Sequence, residues 1–277
     1  TAQGKLLNPV ERTEAADALD SLGYVPEDLY RFIEIPGDAV CPTFWMGKYP
    51  VTNAQYARFL QPEHFANQTL WIDLPDLDAN GQLVGTLGEE AWRWLQEEMK
   101  GKKVLTPRYW DNLRFGSTRP GAPVVGVSWY EAMAYGRWVQ RNWDRLAEAE
   151  QNPECRPQTI RLPTEAEWVK AVGGTADDRY AWDKPGEHSD IEKLITCANT
   201  AESGIGRTTP VWNHPRGQSH PYGLWDATGN VYNWQANHYE PGSRSRVVRG
   251  GSFLNLHFFA RCAGRGGGNP DVRYFSL

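Results

Sequence analysis

The side chains of this 277-residue chain that could carry redox or metal chemistry are few and scattered. Cys41, Cys155, Cys197 and Cys262 form no CxxC pair. This argues against a zinc site and a disulfide framework, and makes a reduced, cytoplasmic chain the default expectation. His64, His188, His214, His220, His238 and His257 lack the helical spacing that turns two imidazoles toward one metal. As polar groups of an active site only Asp226, Asn230, His238 and His257 are open to nomination, and no motif joins them. The expectation is no catalytic residue, no metal ligand and no cofactor.

Recognition is a better reading of residues 249–277. A frame of Arg249, Gly250, Gly251, Ser252, Arg261, Cys262, Ala263, Arg265, Asn269, Pro270, Asp271 and Arg273 has backbone or pairing work that few residue types can do. Cys262 reads within it as a small buried hydrophobe. Between the frame residues stand Leu254, Asn255, Leu256, His257, Phe258 and Phe259, then Gly264, Gly266, Gly267 and Gly268, then Tyr274, Phe275, Ser276 and Leu277. This second set mixes aliphatic, aromatic, polar and absent side chains with no period, as a displayed ligand-binding surface would. Its aromatic members suit capture of a protein or small ligand. The competing reading makes Leu254 to Phe259 a core strand and the glycines a turn.

Such a surface needs rigid support. With 40% hydrophobic residues the chain can bury a large core. Thirteen Trp, 27 Gly and 19 Pro predict ring stacking, short strands and long ordered loops. A helical lead-in spans 1–31, opening near Pro9 and stopped by Gly23. The main domain, 32–277, starts with a strand at Phe32 to Ile35 and carries an insertion at 61–120, with a turn at Gly81 and a helix from Glu89 to Lys100. Thr52 caps a short helix. Ser128 with Glu131, and Thr164 with Glu167, are capping boxes that open the two main helices, the first preceded by a strand at Val124 to Val127. Beyond Gly173 no regular helix is expected. A net charge of −5 with interspersed signs disfavours nucleic acid. No apolar run is long enough for a membrane span, and no export signal opens the chain. A monomer is expected.

The ordered motifs PVTNAQYARF, PVVGVSWYEAMAYGRW, IRLPTEAEWVKA, YGLWDATGNVYNW and RVVRGGSF resemble the formylglycine-generating enzyme and sulfatase-modifying factor superfamily. The resemblance covers roughly residues 32–277. It implies an α+β, C-type lectin-like fold with short twisted sheets, two main helices and a further strand after Leu277. It assigns Arg161, Glu165 and Trp168 to tying a helix to the loops. The oxidase branch of the superfamily uses two copper-binding cysteines after the GGS motif. Here Asn255 takes the place of the first, and Cys262 falls on an apolar core position. The sulfoxide-synthase branch places iron on a separate helical bundle, for which the lead-in is too short. Where relatives carry a calcium-binding Glu, this chain has Asn233, a weaker ligand for a hard cation, so structural calcium becomes optional.

The C-terminal pattern is similar to the variable proteins of diversity-generating retroelements, in which error-prone copying of adenines turns AAC codons into NNC codons. These never encode Lys, Glu, Gln, Met or Trp, and none of those residues occupies the interposed positions. The resemblance implies a non-catalytic binding protein. Two alternatives remain: an oxidoreductase of the formylglycine-generating type, and a partner domain whose lead-in docks on a larger effector.

Overall fold

The computed structural model describes residues 7–39, 41–153, 156–175, 179–274 and 276–277. In chain order the elements are α1 (Pro9–Ser21), β1 (Phe32–Ile35), β2 (Phe44–Gly47), α2 (Asn53–Ala57), α3 (Pro62–Ala66), β3 (Pro75–Leu77), β4 (Leu83–Thr86), α4 (Glu90–Met99), α5 (Trp129–Asn142), α6 (Ala147–Gln151), α7 (Glu165–Ala171), α8 (Ile191–Cys197), β5 (Asn233–His238), β6 (Arg246–Arg249) and β7 (Arg265–Gly268). β1 and β2 form an antiparallel hairpin. The remaining strands make one sheet in the order β4-β3-β5-β6-β7, antiparallel except where β3 runs parallel to β5. Among the described residues, no helix is long and apolar enough to cross a membrane.

Reciprocal capping starts four helices. Asn8 with Glu11, Thr52 with Gln55, Ser128 with Glu131 and Thr164 with Glu167 each satisfy two N-terminal backbone donors. α5 is the central wedge. One face puts Tyr135, Trp138 and Val139 against Phe59, Trp71 and Leu95, and the other puts Trp129, Tyr130 and Met133 against Trp234, Val248 and Leu277. Burial pushes the Glu131 carboxyl up, with Arg273 and the Ser128 cap opposing it. The sheet is locked to the wedge by Arg246, whose guanidinium lies 4.3 Å from the Trp129 ring centroid and bonds Asp76 of β3 at 2.8 Å.

Two expectations need correction. Val124 to Val127 is not a strand: Gly126 adopts φ 73°, and its N–H turns toward the carbonyls of Tyr274 and Leu277. Helix does not end at Gly173, because Asp190 caps α8 by accepting from the Lys193 N–H, and Leu194 is buried beneath it. Residues 61–120 pack into the body: the Gly81 turn closes the β3–β4 hairpin, β3 pairs with β5, and Leu70, Trp71, Leu74 and Leu95 are core residues.

α1 is fastened to the main body. Asp17 pairs with Arg119 and Arg207, Asp20 accepts from the Gly121 N–H at 2.8 Å, and Arg12 donates to the Ile195 carbonyl at 3.2 Å. Further on, Asn230 organises the loops under the C-terminal segment. It accepts from Asn199 and the Thr209 N–H, donates to the Thr209 carbonyl and to Asp226 Oδ2 at 2.7 Å, and its own carbonyl accepts from the Phe253 N–H.

Burial pushes the Asp226 carboxyl up to about 8, and the Asn230 bond offsets this only in part. An acid kept neutral in the fold stabilises it fully at low pH. That stability is lost as pH rises from the ordinary value of 3.8 toward about 8, because only the unfolded chain then sheds the proton. Asp20, raised to about 6, acts in the same direction over the lower part of the window. Thermal denaturation should therefore show Tm falling between about pH 6 and pH 8, and Asp226→Asn should flatten this limb. Parallel curves for the two proteins would remove Asp226 as its source.

Candidate functional site

The C-terminal segment is held by a charge cluster centred on Glu165, the first residue of α7. Arg249, at the end of β6, pairs with Glu165 and donates to the carbonyls of Cys262 at 3.1 Å and Gly264 at 2.9 Å. Arg265, opening β7, donates to both Glu165 oxygens at 2.7 and 3.1 Å and covers the Tyr239 ring at 4.2 Å. Burial pushes the Glu165 carboxyl up, but Arg265 and Arg249 outweigh it and hold the group below the usual range. Arg161 pairs with Glu167 in two bonds, and Trp168 is buried against Cys262. These side chains tie the helix to the loops, as their sequence context implies.

The GGS motif sets the loop that follows. Gly251 has φ 71°, and a Cβ there would lie 2.8 Å from the Ala260 Cα, so only glycine fits this approach. Ser252 is fully buried and donates to Asn255 Oδ1 at 2.6 Å. The Asn255 carbonyl accepts from the Ala201 N–H at 3.0 Å. On this support Leu254, Leu256, Phe258 and Phe259 are 44–50% exposed. The Phe258 and Phe259 ring centroids are 4.4 Å apart, and His257 meets Phe258 edge-on at 5.6 Å. Residues 257–260 form a short 3-10 helix, so neither a core strand nor a shapeless loop describes them.

The interposed positions are not equivalent. Asn255 and His257 are half-buried and engaged, the latter with Glu202 through both its N–H at 2.7 Å and its ring at 2.9 Å. Gly264 is not an open display position in this backbone, because a Cβ would fall 2.3 Å from the Phe259 carbonyl oxygen. The glycines after it form β7 rather than a turn. Added Cβ atoms would meet Val248 at 3.0 Å from Gly266, the Tyr239 ring at 2.8 Å from Gly267 and the Trp234 ring at 2.7 Å from Gly268. Tyr274 is exposed, Ser276 is half-buried, and Leu277 is buried in the core against the expectation of display. Phe275 lies outside the described residues.

Copper chemistry of the oxidase type does not fit the donors present. Asn255 is spent on Ser252 and carries no thiol. The Cys262 side chain is fully buried, and burial pushes its thiol up to about 12. Cys41 and Cys197 are also buried, Cys197 in a separate core cluster with Tyr180 and Leu194; Cys155 lies outside the described residues. Asn233 is half-buried, and its Nδ2 reaches the Val231 carbonyl at 3.5 Å. Asp226 and Asn230 bond each other, whereas His238 pairs with Asp76 and His257 with Glu202. No shared site gathers the four nominated polar groups. Glu202 was missed by sequence reasoning. Its only local signal is an acid in a short polar turn after Asn199 and Thr200, and its value comes from a partner 55 residues away.

Residues 34–275 match the sulfatase-modifying factor enzyme 1-like domain. The chain is 31% identical to the formylglycine-generating enzyme of Streptomyces coelicolor over 265 residues, covering 82% of this chain and 74% of that protein. Among solved structures, PvdO from Pseudomonas aeruginosa superposes with a TM-score of 0.51 at 18% identity, over 89% of this chain and 87% of that one. Treponema denticola variable protein 1 gives 0.49 at 18% identity, over 89% of each chain. The fold is thus the C-type lectin-like arrangement of this group, and the chain belongs to the sulfatase-modifying factor enzyme 1-like domain family.

Proposed function

We propose that this chain is a non-catalytic binding protein, of the variable type encoded by diversity-generating retroelements, that captures a protein or small ligand through its C-terminal segment. One observation carries the reading. Four large apolar side chains, Leu254, Leu256, Phe258 and Phe259, stand exposed on a backbone fixed by buried partners. Clustered exposed apolar groups are unfavourable in water unless something covers them, and a pre-organised loop loses little entropy on binding. Among the described residues, Tyr274 is the other exposed aromatic of the set. The absence of Lys, Glu, Gln, Met and Trp from every interposed position supports adenine-templated variation. The protein acts as a monomer on this reading, with no catalytic cofactor. Its lead-in is a fastening element of the 32–277 domain.

The 31% identity to a formylglycine-generating enzyme favours a second reading, an oxidase with a different ligand set. Copper titration followed by oxygen consumption separates the two. The binding reading expects neither stoichiometric Cu(I) uptake nor oxygen use with a cysteine-containing peptide, and oxygen use dependent on copper would replace it.

Sister copies of the gene provide the direct test. Their differences should concentrate at codons 254–259 and 274–276, beside a reverse transcriptase and an adenine-substituted repeat of the 3′ end; differences spread through α5 and α7 would refute the assignment. Stability supplies an independent check on the separation of frame from display. Replacing Leu254, Leu256, Phe258 and Phe259 together with Ala should shift unfolding free energy by no more than about 2 kcal/mol, four surface changes of about 0.5 each. Glu165→Ala should cost about 3–5 kcal/mol by stranding Arg249 beside buried carbonyls. Urea denaturation giving the reverse order would end the distinction.

A further inference from the structure

A second site lies away from the exposed part of the C-terminal segment. A cavity of about 300 Å³ has Tyr30, Arg31 and Tyr49 among its lining residues, and of the described residues in 249–277 it touches only the buried Leu277. Arg31 is exposed and Tyr49 half-buried, so the lining extends to the surface between the lead-in and the β1–β2 hairpin. The walls are mostly aliphatic and aromatic, with Met46, Val124, Val139, Ile160, Leu224 and Trp168 among them. Three polar atoms of lining residues are buried without a hydrogen-bond partner among the described residues: Tyr56 Oη, Glu148 Oε2 and Trp225 Nε1.

Their contacts sort them into two groups. Tyr56 packs on Tyr135 at 5.2 Å between ring centroids, and Tyr135 bonds Arg58, the partner of Glu148 at 2.7 Å. Trp225 stacks instead on Tyr49 at 5.3 Å. The volume would hold about ten waters, each wanting two or more polar partners, and an apolar wall supplies too few. An unpaired buried polar atom costs about 1–3 kcal/mol, so three of them on residues that line one largely apolar cavity point to complementary groups that arrive from outside. Arg58 already balances Glu148, which disfavours a second full charge.

We propose that this cavity binds a neutral aromatic molecule with a hydroxyl at one end and a hydrogen-bond acceptor at the other. The hydroxyl donates to Glu148 and accepts from Tyr56, the acceptor takes the Trp225 N–H, and the ring packs on the apolar walls. The site is independent of the C-terminal surface and survives any failure of that reading.

The probe is 4-hydroxyacetophenone, titrated by calorimetry against acetophenone, which lacks the hydroxyl. The expected result is a single saturable site, about tenfold weaker for acetophenone, which forgoes the hydroxyl's two hydrogen bonds, and about fivefold weaker in Trp225→Phe, which forgoes one. Val124→Phe should abolish binding while circular dichroism and Tm report a folded chain. Alanine at Leu254, Leu256, Phe258 and Phe259 should leave binding unchanged. In the wild-type protein, NMR cross-peaks should join the probe ring to the methyl groups of Met46 and Val139, which keeps the test decisive if a variant misfolds. No saturation at the solubility limit, equal affinity for both probes, or cross-peaks elsewhere would overturn the proposal.

Discussion

One carboxylate holds three parts of the molecule together. Glu165 stands at the start of α7, where its backbone N–H donates to Asn237 of β5 and its side chain takes Arg249 from β6 and Arg265 from β7. Position matters as much as charge, because the N-terminus of a helix favours an anion before any arginine arrives. Arg249 then extends the lock by gathering the carbonyls of Cys262 and Gly264, which would otherwise need partners of their own. A charge pair this enclosed contributes little net stability over an apolar pair, yet it fixes which loop meets which strand. Specification of the C-terminal path is therefore its main effect.

On the proposed reading, that path lets one segment be both rigid and changeable. Glu165, Arg249, Ser252 and Asn230 hold the main chain through groups that point inward or along it. Leu254, Leu256, Phe258 and Phe259 make no comparable claim on the backbone and leave the surface free to vary. The glycine strand behaves differently. In this chain β7 seats against Tyr239 and Trp234 because positions 267 and 268 have no side chain. Larger residues there would have to move the strand or the rings, so sequence and backbone are coupled in β7 and largely uncoupled at 254, 256, 258 and 259.

Local signals were legible in the sequence, and long-range ones were not. The boxes at Ser128 and Thr164 announce α5 and α7 because both halves of each cap lie within four residues. The role of Glu165 followed from its motif, and burial of Cys262 from the habits of free cysteine. α8 escaped notice since its single cap at Asp190 precedes a weakly patterned run in turn-rich surroundings. The apolar run at 124–127 suggested a strand, but Gly126 turns its N–H toward Tyr274 and Leu277, contacts about 150 residues distant that no local pattern encodes. For the same reason the run of glycines suggested a loop, whereas pairing with β6 decides the matter.

The position where resemblance to the oxidase branch would put the first copper thiolate holds an amide in this chain. Here Asn255 accepts from Ser252 with its side chain and from Ala201 with its carbonyl. Both bonds pin the entrance of the exposed run; the backbone one does not depend on the side chain, but the bond from Ser252 does, and a thiol would serve it poorly because sulfur is a weak acceptor. The amide is thus a fastening group at the point where the loop leaves the core. On the proposed binding reading, the side chains beyond it are left to meet a partner in solution.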